Sequence, residues 1–222
     1  MARPWTTLAS VATHEGALEL RQRGEAEFLI VIAGRVLMTS VARRSEEALA
    51  TLASTRIAGV KKPRVLIGGL GMGYTLRAAL DALPPGARVM VAELTPSVVQ
   101  WCRGPLAALT RNAIGDARVT VEIGDVARVI ERAPAQSWDA ILLDLYEGPH
   151  EATQRADDPF YGRSALERAK AALSDKGVLA VWSEETDTAF ARRFAAAGFE
   201  VTTHRAGKGG RTHVVYLGVR KG

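Results

Sequence analysis

The sequence has few of the residues that build disulfides, metal clusters or membrane spans. Its only cysteine is Cys102, which excludes an internal disulfide and a cysteine cluster for zinc. The longest apolar runs, such as residues 28–33 and 140–143, are strand-sized and fall short of the roughly 20 residues that cross a bilayer. We therefore expect neither a resident metal nor a membrane span. The histidines also lack metal-ligand spacing: His14, His150, His204 and His213.

Composition and charge are those of an ordinary globular protein. Of the 222 residues, 47% are hydrophobic and 24% charged, close to the globular norm. Residues 1–5 lack the apolar core of a secretory signal, so the cytoplasm is the expected location. The formal net charge of +5 is spread along the chain, which favours a solvated basic face over nucleic-acid binding. The densest basic group lies near the C-terminus: Arg205, Lys208, Arg211, Arg220 and Lys221.

The first 60 residues form a small region of their own. Glycines separate short apolar segments, a pattern typical of a β meander. A helix over residues 45–52 follows, with Ser45 as a potential N-cap. Residues 61–63, Lys-Lys-Pro, indicate a boundary, so we predict a β region with a connecting helix at 1–60 and a catalytic domain at 61–222. The expected meander strands are residues 17–21, 28–32 and 35–38.

From Arg64 onward, strand-like segments alternate with helical ones. This alternation predicts an α/β fold with a Rossmann-like, mostly parallel sheet of seven strands and helices on both faces. The expected strands are residues 65–67, 89–92, 119–122, 140–143, 178–181, 199–201 and 213–217. The expected helices are residues 74–82, 96–109, 163–174 and 187–197.

A glycine loop at residues 68–73 follows the first of these strands and opens into a helix. Glycines let the backbone turn tightly and approach a ligand closely. The Gly-x-Gly-x-Gly spacing is shorter than the Gly-x-Gly-x-x-Gly of dinucleotide binding, and no Gly-Lys-Ser/Thr follows. NAD and ATP are therefore disfavoured, and a nucleoside cradle is predicted from Gly68, Gly69, Leu70, Gly71 and Gly73.

Carboxylates end the next three strands. Glu93 lies 24 residues beyond Gly69, where it could accept hydrogen bonds from both ribose hydroxyls or serve as an acid at a helix start. Asp125 and Asp144 end the following strands, and either one alone could be an N-cap or turn residue. Ligands of open α/β sheets bind at these strand ends. The joint placement therefore predicts a nucleoside site along one rim.

An acidic segment follows Asp144. Such a segment could attract a cationic amine, or it could be charged because the loop is solvated, and the sequence leaves both interpretations open. Its residues are Tyr146, Glu147, Glu151, Asp157 and Asp158, with Glu184 and Glu185 after the next strand.

Four segments, in this order, resemble the spermidine synthase (polyamine aminopropyltransferase) family: residues 64–73, 92–94, 124–126 and 138–144. The similarity covers most of the chain. The resemblance implies a Rossmann-like sheet, decarboxylated S-adenosylmethionine as donor and a diamine as acceptor, and it favours a homodimer. By position it implies that Glu93 binds the ribose, that Asp125 binds the adenine with Leu94 and Val126 beside the nucleoside, and that Asp144 acts as base toward the acceptor amine.

The sequence departs from the family at the amine-binding motifs. Gly71 stands where the family carries the loop aspartate that holds the donor's aminopropyl ammonium, and Glu147 stands where the family has a further aspartate. Residues 46–47, Glu-Glu, replace the family's Tyr-Gln pair, and Leu37 or Met38 replaces a glutamine.

These departures bear on which group is transferred. Removing the loop carboxylate from beside the buried ammonium of the decarboxylated donor costs on the order of several kcal/mol. Without that carboxylate, the loop also no longer repels the carboxylate of intact S-adenosylmethionine. Against methyl transfer, Ile67 stands where many methyltransferases carry an acid. We favour a methyltransferase acting on a small cationic amine, with an aminopropyltransferase as the alternative and an RNA-associated nucleoside-binding protein as a third hypothesis. In either transferase Asp144 would accept the amine proton, and Tyr146 and Glu147 would shape the pocket.

Overall fold

The computed structural model describes residues 3–153, 155–206 and 212–221. It begins with a four-stranded antiparallel meander in the order β1-β2-β3-β4. The expectation of three strands missed β1, because its sequence TTLASVAT has few large apolar residues and buries neither face fully. The strands are β1 (Thr6–Thr13), β2 (Gly16–Arg23), β3 (Glu27–Ile32) and β4 (Arg35–Thr39).

The remaining seven strands form one sheet in the order β10-β11-β9-β8-β5-β6-β7. Strand β11 is antiparallel to both of its neighbours, and β9, β8, β5, β6 and β7 are mutually parallel. This confirms the expected seven-stranded, mostly parallel sheet. The strands are β5 (Arg64–Gly68), β6 (Arg88–Glu93), β7 (Val119–Ile123), β8 (Trp138–Leu143), β9 (Leu173–Ser183), β10 (Phe199–Ala206) and β11 (His213–Arg220).

Helices cover both faces of this sheet. Alternate strand residues point to opposite sides, so Ile67 belongs to the core under α1, α2 and α3, while its neighbour Leu66 belongs to the core under α4, α5 and α6. The helices are α1 (Arg44–Arg56), α2 (Tyr74–Ala82), α3 (Pro96–Arg103), α4 (Val126–Glu131), α5 (Arg163–Ala172) and α6 (Thr188–Ala196).

Two helix predictions were wrong in detail, and one helix was missed. Ser45 is not the N-cap of α1, since the helix begins at Arg44 and the Ser45 hydroxyl bonds to Glu46 and His213 instead. The helix expected over 96–109 ends at Arg103, because Gly104-Pro105 interrupts it, and a separate 3₁₀ turn follows at Ala107–Thr110. Helix α4 was not predicted.

Helix α1 packs against α2 and against β8, β9 and β11 as well as following the meander. The division at residue 60 stays a prediction.

In the C-terminal basic group, Arg220 donates a hydrogen bond to the carbonyl of Leu173 and lies 3.6 Å from Asp175, whereas Lys208 and Arg211 lie outside the described residues. No helix among the described residues is long and apolar enough to span a membrane.

Candidate functional site

The glycine loop is fastened to the strands on either side of it. The Gly69 amide donates to the Ala92 carbonyl at 2.9 Å, and the Asp144 amide donates to the Gly68 carbonyl at 2.9 Å. Gly69 has φ of +87°, and a Cβ there would overlap the Asp144 carbonyl oxygen. Only glycine fits this position. The loop and the end of β8 are therefore in backbone contact, which places Asp144 directly beside the predicted nucleoside cradle.

Glu93 is held rigidly at the end of β6. Its Oε2 accepts a hydrogen bond from the Leu70 amide at 2.9 Å, and its Oε1 accepts one from the Thr95 amide at 2.8 Å. The residue is 8% exposed, and desolvation raises the pKa of its carboxyl while these backbone donors oppose the rise. Glu93 therefore acts as the acid at the start of α3, one of the two roles expected for it. A carboxylate has about four lone-pair sites. Since each Glu93 oxygen accepts one of these two hydrogen bonds, each can still accept a second from a ribose hydroxyl.

Two exposed aliphatic side chains flank this carboxylate. Leu94 is 63% exposed and Ile123 is 49% exposed, at the carboxyl ends of β6 and β7. An adenine ring buries flat apolar faces, so such a pair fits a nucleobase. Sequence reasoning missed Ile123, although its place just before Gly124-Asp125 was the signal. Val126 is buried under the loop, with its methyl groups against Gly68, and its contact with a nucleoside stays a prediction.

Asp125 caps helix α4. Its Oδ1 accepts a hydrogen bond from the Ala127 amide at 2.8 Å. This is the N-cap role that the sequence offered as an alternative for Asp125. The other oxygen, Oδ2, takes no part in that bond. A half-buried aspartate two residues beyond β7 and near Leu94 and Ile123 along the rim is compatible with a hydrogen bond to adenine, and that role stays a prediction.

Asp144 is a half-buried carboxylate with one hydroxyl partner. Its Oδ2 accepts a hydrogen bond from the Thr75 hydroxyl at 2.6 Å. Burial, with a smaller contribution from the charge of Glu46, raises the pKa of Asp144 to about 7, while the Thr75 hydrogen bond opposes the rise. A carboxyl that titrates near neutral pH is suited to accept a proton from an amine. Thr75, in the first turn of α2, was missed because nothing in the sequence links it to β8.

Tyr146 and Glu147 connect the segment after β8 to the meander. The Tyr146 hydroxyl donates to Glu15 Oε2 at 2.9 Å, and Arg35 donates to Glu147 Oε1 at 3.1 Å while stacking over the Tyr146 ring. Burial raises the pKa of Tyr146 to about 12, with Glu15 adding to the rise. Both partners lie at the β1-β2 and β3-β4 turns. The predicted pocket-shaping residues therefore bridge the two sheets.

Most acidic side chains of the segment after Asp144 form hydrogen bonds or ion pairs within that segment. Glu147 lies 3.3 Å from His150, Asp157 pairs with Arg155 at 2.9 Å, and Asp158 accepts from the amides of Phe160 and Tyr161. These contacts favour the solvated-loop interpretation for Asp157 and Asp158 over a diffuse attraction for cations.

A cleft of about 510 Å³ opens away from this rim, between α1 and α2. Arg43, Glu47, Tyr74, Arg77 and Asp81 are among the residues that line it, and none of them belongs to the predicted site. No group of three or more histidine, cysteine, aspartate or glutamate side chains within residues 3–153, 155–206 and 212–221 could hold a metal ion.

Comparisons with known proteins give a relative that covers most of the chain. No family model matches. Polyamine aminopropyltransferase 2 of Streptomyces coelicolor is 32% identical over 211 residues, which cover 89% of this chain and 36% of that protein. This similarity supports a place for the chain in the spermidine synthase-like family. It spans only about a third of the length of that relative.

Two further comparisons give a related methyltransferase and a solved structure of the same fold. Putrescine N-methyltransferase 2 of Nicotiana tabacum is 31% identical over 121 residues, covering 54% of this chain and 32% of that protein. Spermidine synthase of Thermotoga maritima superposes with a TM-score of 0.79 at 16% identity, over 97% of this chain and 73% of that chain. The superposition shows the shared fold, including the N-terminal meander.

The loop position where the family carries an aspartate is covered by a thioether. Gly71 has φ of +51°, and a Cβ there would lie 2.9 Å from the Met38 sulfur. The Met72 amide points at the same sulfur at 3.3 Å, and the Cys102 thiol lies 3.3 Å from the Gly71 carbonyl. Burial raises the pKa of Cys102 to about 12. The space above Gly71 is therefore apolar and occupied, and Met38 rather than Leu37 occupies it.

The two glutamates at the start of α1 face different surroundings. Glu46 is buried, and its Oε2 accepts from the Ser45 hydroxyl at 2.6 Å. Glu47 is half-exposed, pairs with Arg43 at 3.1 Å and lines the cleft between α1 and α2. Of this pair, Glu46 is the one beside Asp144.

Proposed function

We propose that this chain binds an S-adenosyl nucleoside at the carboxyl ends of β5 to β8 and transfers a carbon group from its sulfonium to an amine. The observation that carries the proposal is Asp144, a half-buried carboxyl with a pKa raised to about 7 and in backbone contact with the glycine loop. Glu93, Leu94 and Ile123 on the same rim have the polarity expected for a ribose and an adenine.

Aminopropyl transfer is the reaction we put first. The relative that matches most of the chain is named as a polyamine aminopropyltransferase, whereas the putrescine N-methyltransferase matches 54% of it. The comparisons thus support the alternative of the sequence analysis better than methyl transfer, which the sequence analysis favoured. The donor would then be decarboxylated S-adenosylmethionine, and the acceptor an amine of the polyamine class.

Methyl transfer from intact S-adenosylmethionine is the second candidate, and one observation favours it. The loop lacks the family's aspartate, and Met38 fills the space above Gly71. A neutral, apolar surface there neither attracts an aminopropyl ammonium nor repels a donor carboxylate.

In both reactions the amine nitrogen attacks a carbon bonded to the sulfonium, the N–C bond forms as the C–S bond breaks, and the thioether leaves as a neutral molecule. The protein must therefore deliver an amine with a free lone pair, in line with the C–S bond. Asp144 performs this task when ionised, by accepting the ammonium proton on the oxygen that does not face Thr75. Thr75 fixes the carboxyl plane through its bond to Oδ2 at 2.6 Å.

The experiment compares turnover of intact and decarboxylated S-adenosylmethionine with a panel of diamines, with products identified by mass spectrometry. We expect transfer with one donor, and a rate that rises with pH through about 7 as Asp144 ionises. Asp144→Asn should lower kcat by at least about 100-fold, while Asp157→Asn, a change at an exposed loop ion pair, should not. Equal rates for wild type and Asp144→Asn would refute the catalytic role of Asp144.

A further inference from the structure

Glu46 lies in the first turn of α1 and is 8% exposed. No ion pair between side chains in the described ranges includes Glu46 or Asp144. Arg43, three residues before Glu46, pairs with Glu47. A buried carboxylate without a cationic partner is costly and is uncommon in folded proteins.

Thr75 links the backbone of Glu46 to the carboxylate of Asp144. Its hydroxyl oxygen lies 2.6 Å from Asp144 Oδ2 and 3.4 Å from the Glu46 carbonyl oxygen. The first turns of α1 and α2 therefore meet at the end of β8. The charge of Glu46 acts on Asp144, so Glu46 belongs to the surroundings of Asp144 at the end of β8.

Ser45 and His213 fix the orientation of Glu46. The Ser45 hydroxyl has one hydrogen, which it donates to Glu46 Oε2 at 2.6 Å. Its oxygen then accepts from His213 Nδ1 at 2.9 Å, so the network places a proton on Nδ1. The His213 ring packs edge-on against Trp182, with ring centroids 4.9 Å apart. A chain of bonds from β11 thus holds the Glu46 carboxylate in position.

We propose that Glu46 supplies the negative charge that the glycine loop lacks at Gly71, and that Glu46 and Asp144 together hold a primary alkylammonium group of a substrate. This rests on the proposed function. An ammonium has three donors and suits two carboxylates whose charges act on each other, since a cation between them removes their mutual repulsion. Two substrates carry such a group: the aminopropyl end of decarboxylated S-adenosylmethionine and the acceptor diamine.

The experiment is calorimetric titration of wild type, Glu46→Gln and Glu47→Gln with three probes. The probes are decarboxylated S-adenosylmethionine, methylthioadenosine, which has the nucleoside but no ammonium, and 1,4-diaminobutane added to the methylthioadenosine complex. Glutamine keeps the size of the side chain and removes the charge. Glu47→Gln is the matched control, because Glu47 is one residue away and pairs with Arg43 on the outer surface.

We expect Glu46→Gln to weaken one of the ammonium-bearing probes by roughly 30-fold or more, to leave methylthioadenosine within about twofold, and Glu47→Gln to match wild type. Selective loss of the decarboxylated donor identifies the donor's ammonium, and selective loss of the diamine identifies the acceptor's.

Two results would overturn the proposal while leaving the proposed function intact. In the first, Glu46→Gln binds both ammonium probes like wild type. In the second, it loses methylthioadenosine equally, which would show a structural role only. A wild-type protein that binds none of the three probes would instead refute the proposed function, and this inference with it.

Discussion

Replacing Gly71 with aspartate restores the carboxylate that the family carries in the glycine loop. We predict that this single substitution destabilises the protein. The reason is Met38, whose sulfur would lie 2.9 Å from the new Cβ. Optimal carbon contacts are about 3.5–4.0 Å, so the thioether must retreat by up to about 1 Å. The φ of +51° at this position adds backbone strain, which aspartate tolerates better than most residues.

The two costs have separate magnitudes. The left-handed backbone costs about 1–2 kcal/mol for a residue with a Cβ, and overpacking against Met38 costs about 1–3 kcal/mol. We therefore expect Gly71→Asp to lower the free energy of unfolding by about 2–5 kcal/mol. In a Met38→Ala background the overpacking disappears, so Gly71→Asp should then cost only about 1–2 kcal/mol.

Urea denaturation of the wild type, both single variants and the double variant measures this coupling as a double-mutant cycle. Titration with intact and decarboxylated S-adenosylmethionine on the same four proteins measures the effect on donor choice. We expect the double variant to shift preference toward the decarboxylated donor by at least about tenfold. Additive stabilities, with Gly71→Asp equally costly in both backgrounds, would show that Met38 does not occupy this space.

Two further predictions concern the aspartates of the rim. The pKa of Asp144 is about 7 in the folded protein against a usual 3.8, so the native state binds the extra proton and stability falls as pH rises from about 4 to 7. Asp144→Asn should thus be more stable than wild type at about pH 8, on the order of 2–4 kcal/mol, with the difference shrinking toward pH 4 in urea titrations, and a pH-independent difference would contradict the burial argument. Asp125→Ala and Asp187→Ala each remove an N-cap and should each cost about 1 kcal/mol of stability. Only Asp125→Ala should weaken nucleoside binding in calorimetry, and equal affinities for the two variants would remove Asp125 from the site.

The sheet and the rim of the site could be predicted because their signals are local. Most of the seven strands contain a short run of apolar residues, and the ligand-side ends follow from the parallel order. Strand β1 and helix α4 could not be found this way. The first is a weakly apolar edge strand, and the second has six residues, too few to show a helical repeat.

The chemistry that distinguishes this chain depends on contacts between distant segments. Met38 and Met72 are 34 residues apart, and Thr75 and Asp144 are 69 residues apart. The sequence shows that Gly71 replaces an acid, but the thioether above it and the position of Glu46 next to Asp144 emerge only when β4 and α1 pack onto the glycine loop.

The most direct test of the nucleoside site is a crystal structure of the protein with methylthioadenosine. We predict the ribose hydroxyls on the Glu93 carboxylate, the adenine between Leu94 and Ile123 within reach of Asp125, and the sulfur directed at Asp144. A nucleoside bound in the cleft between α1 and α2, or a ribose without contact to Glu93, would contradict the central claim.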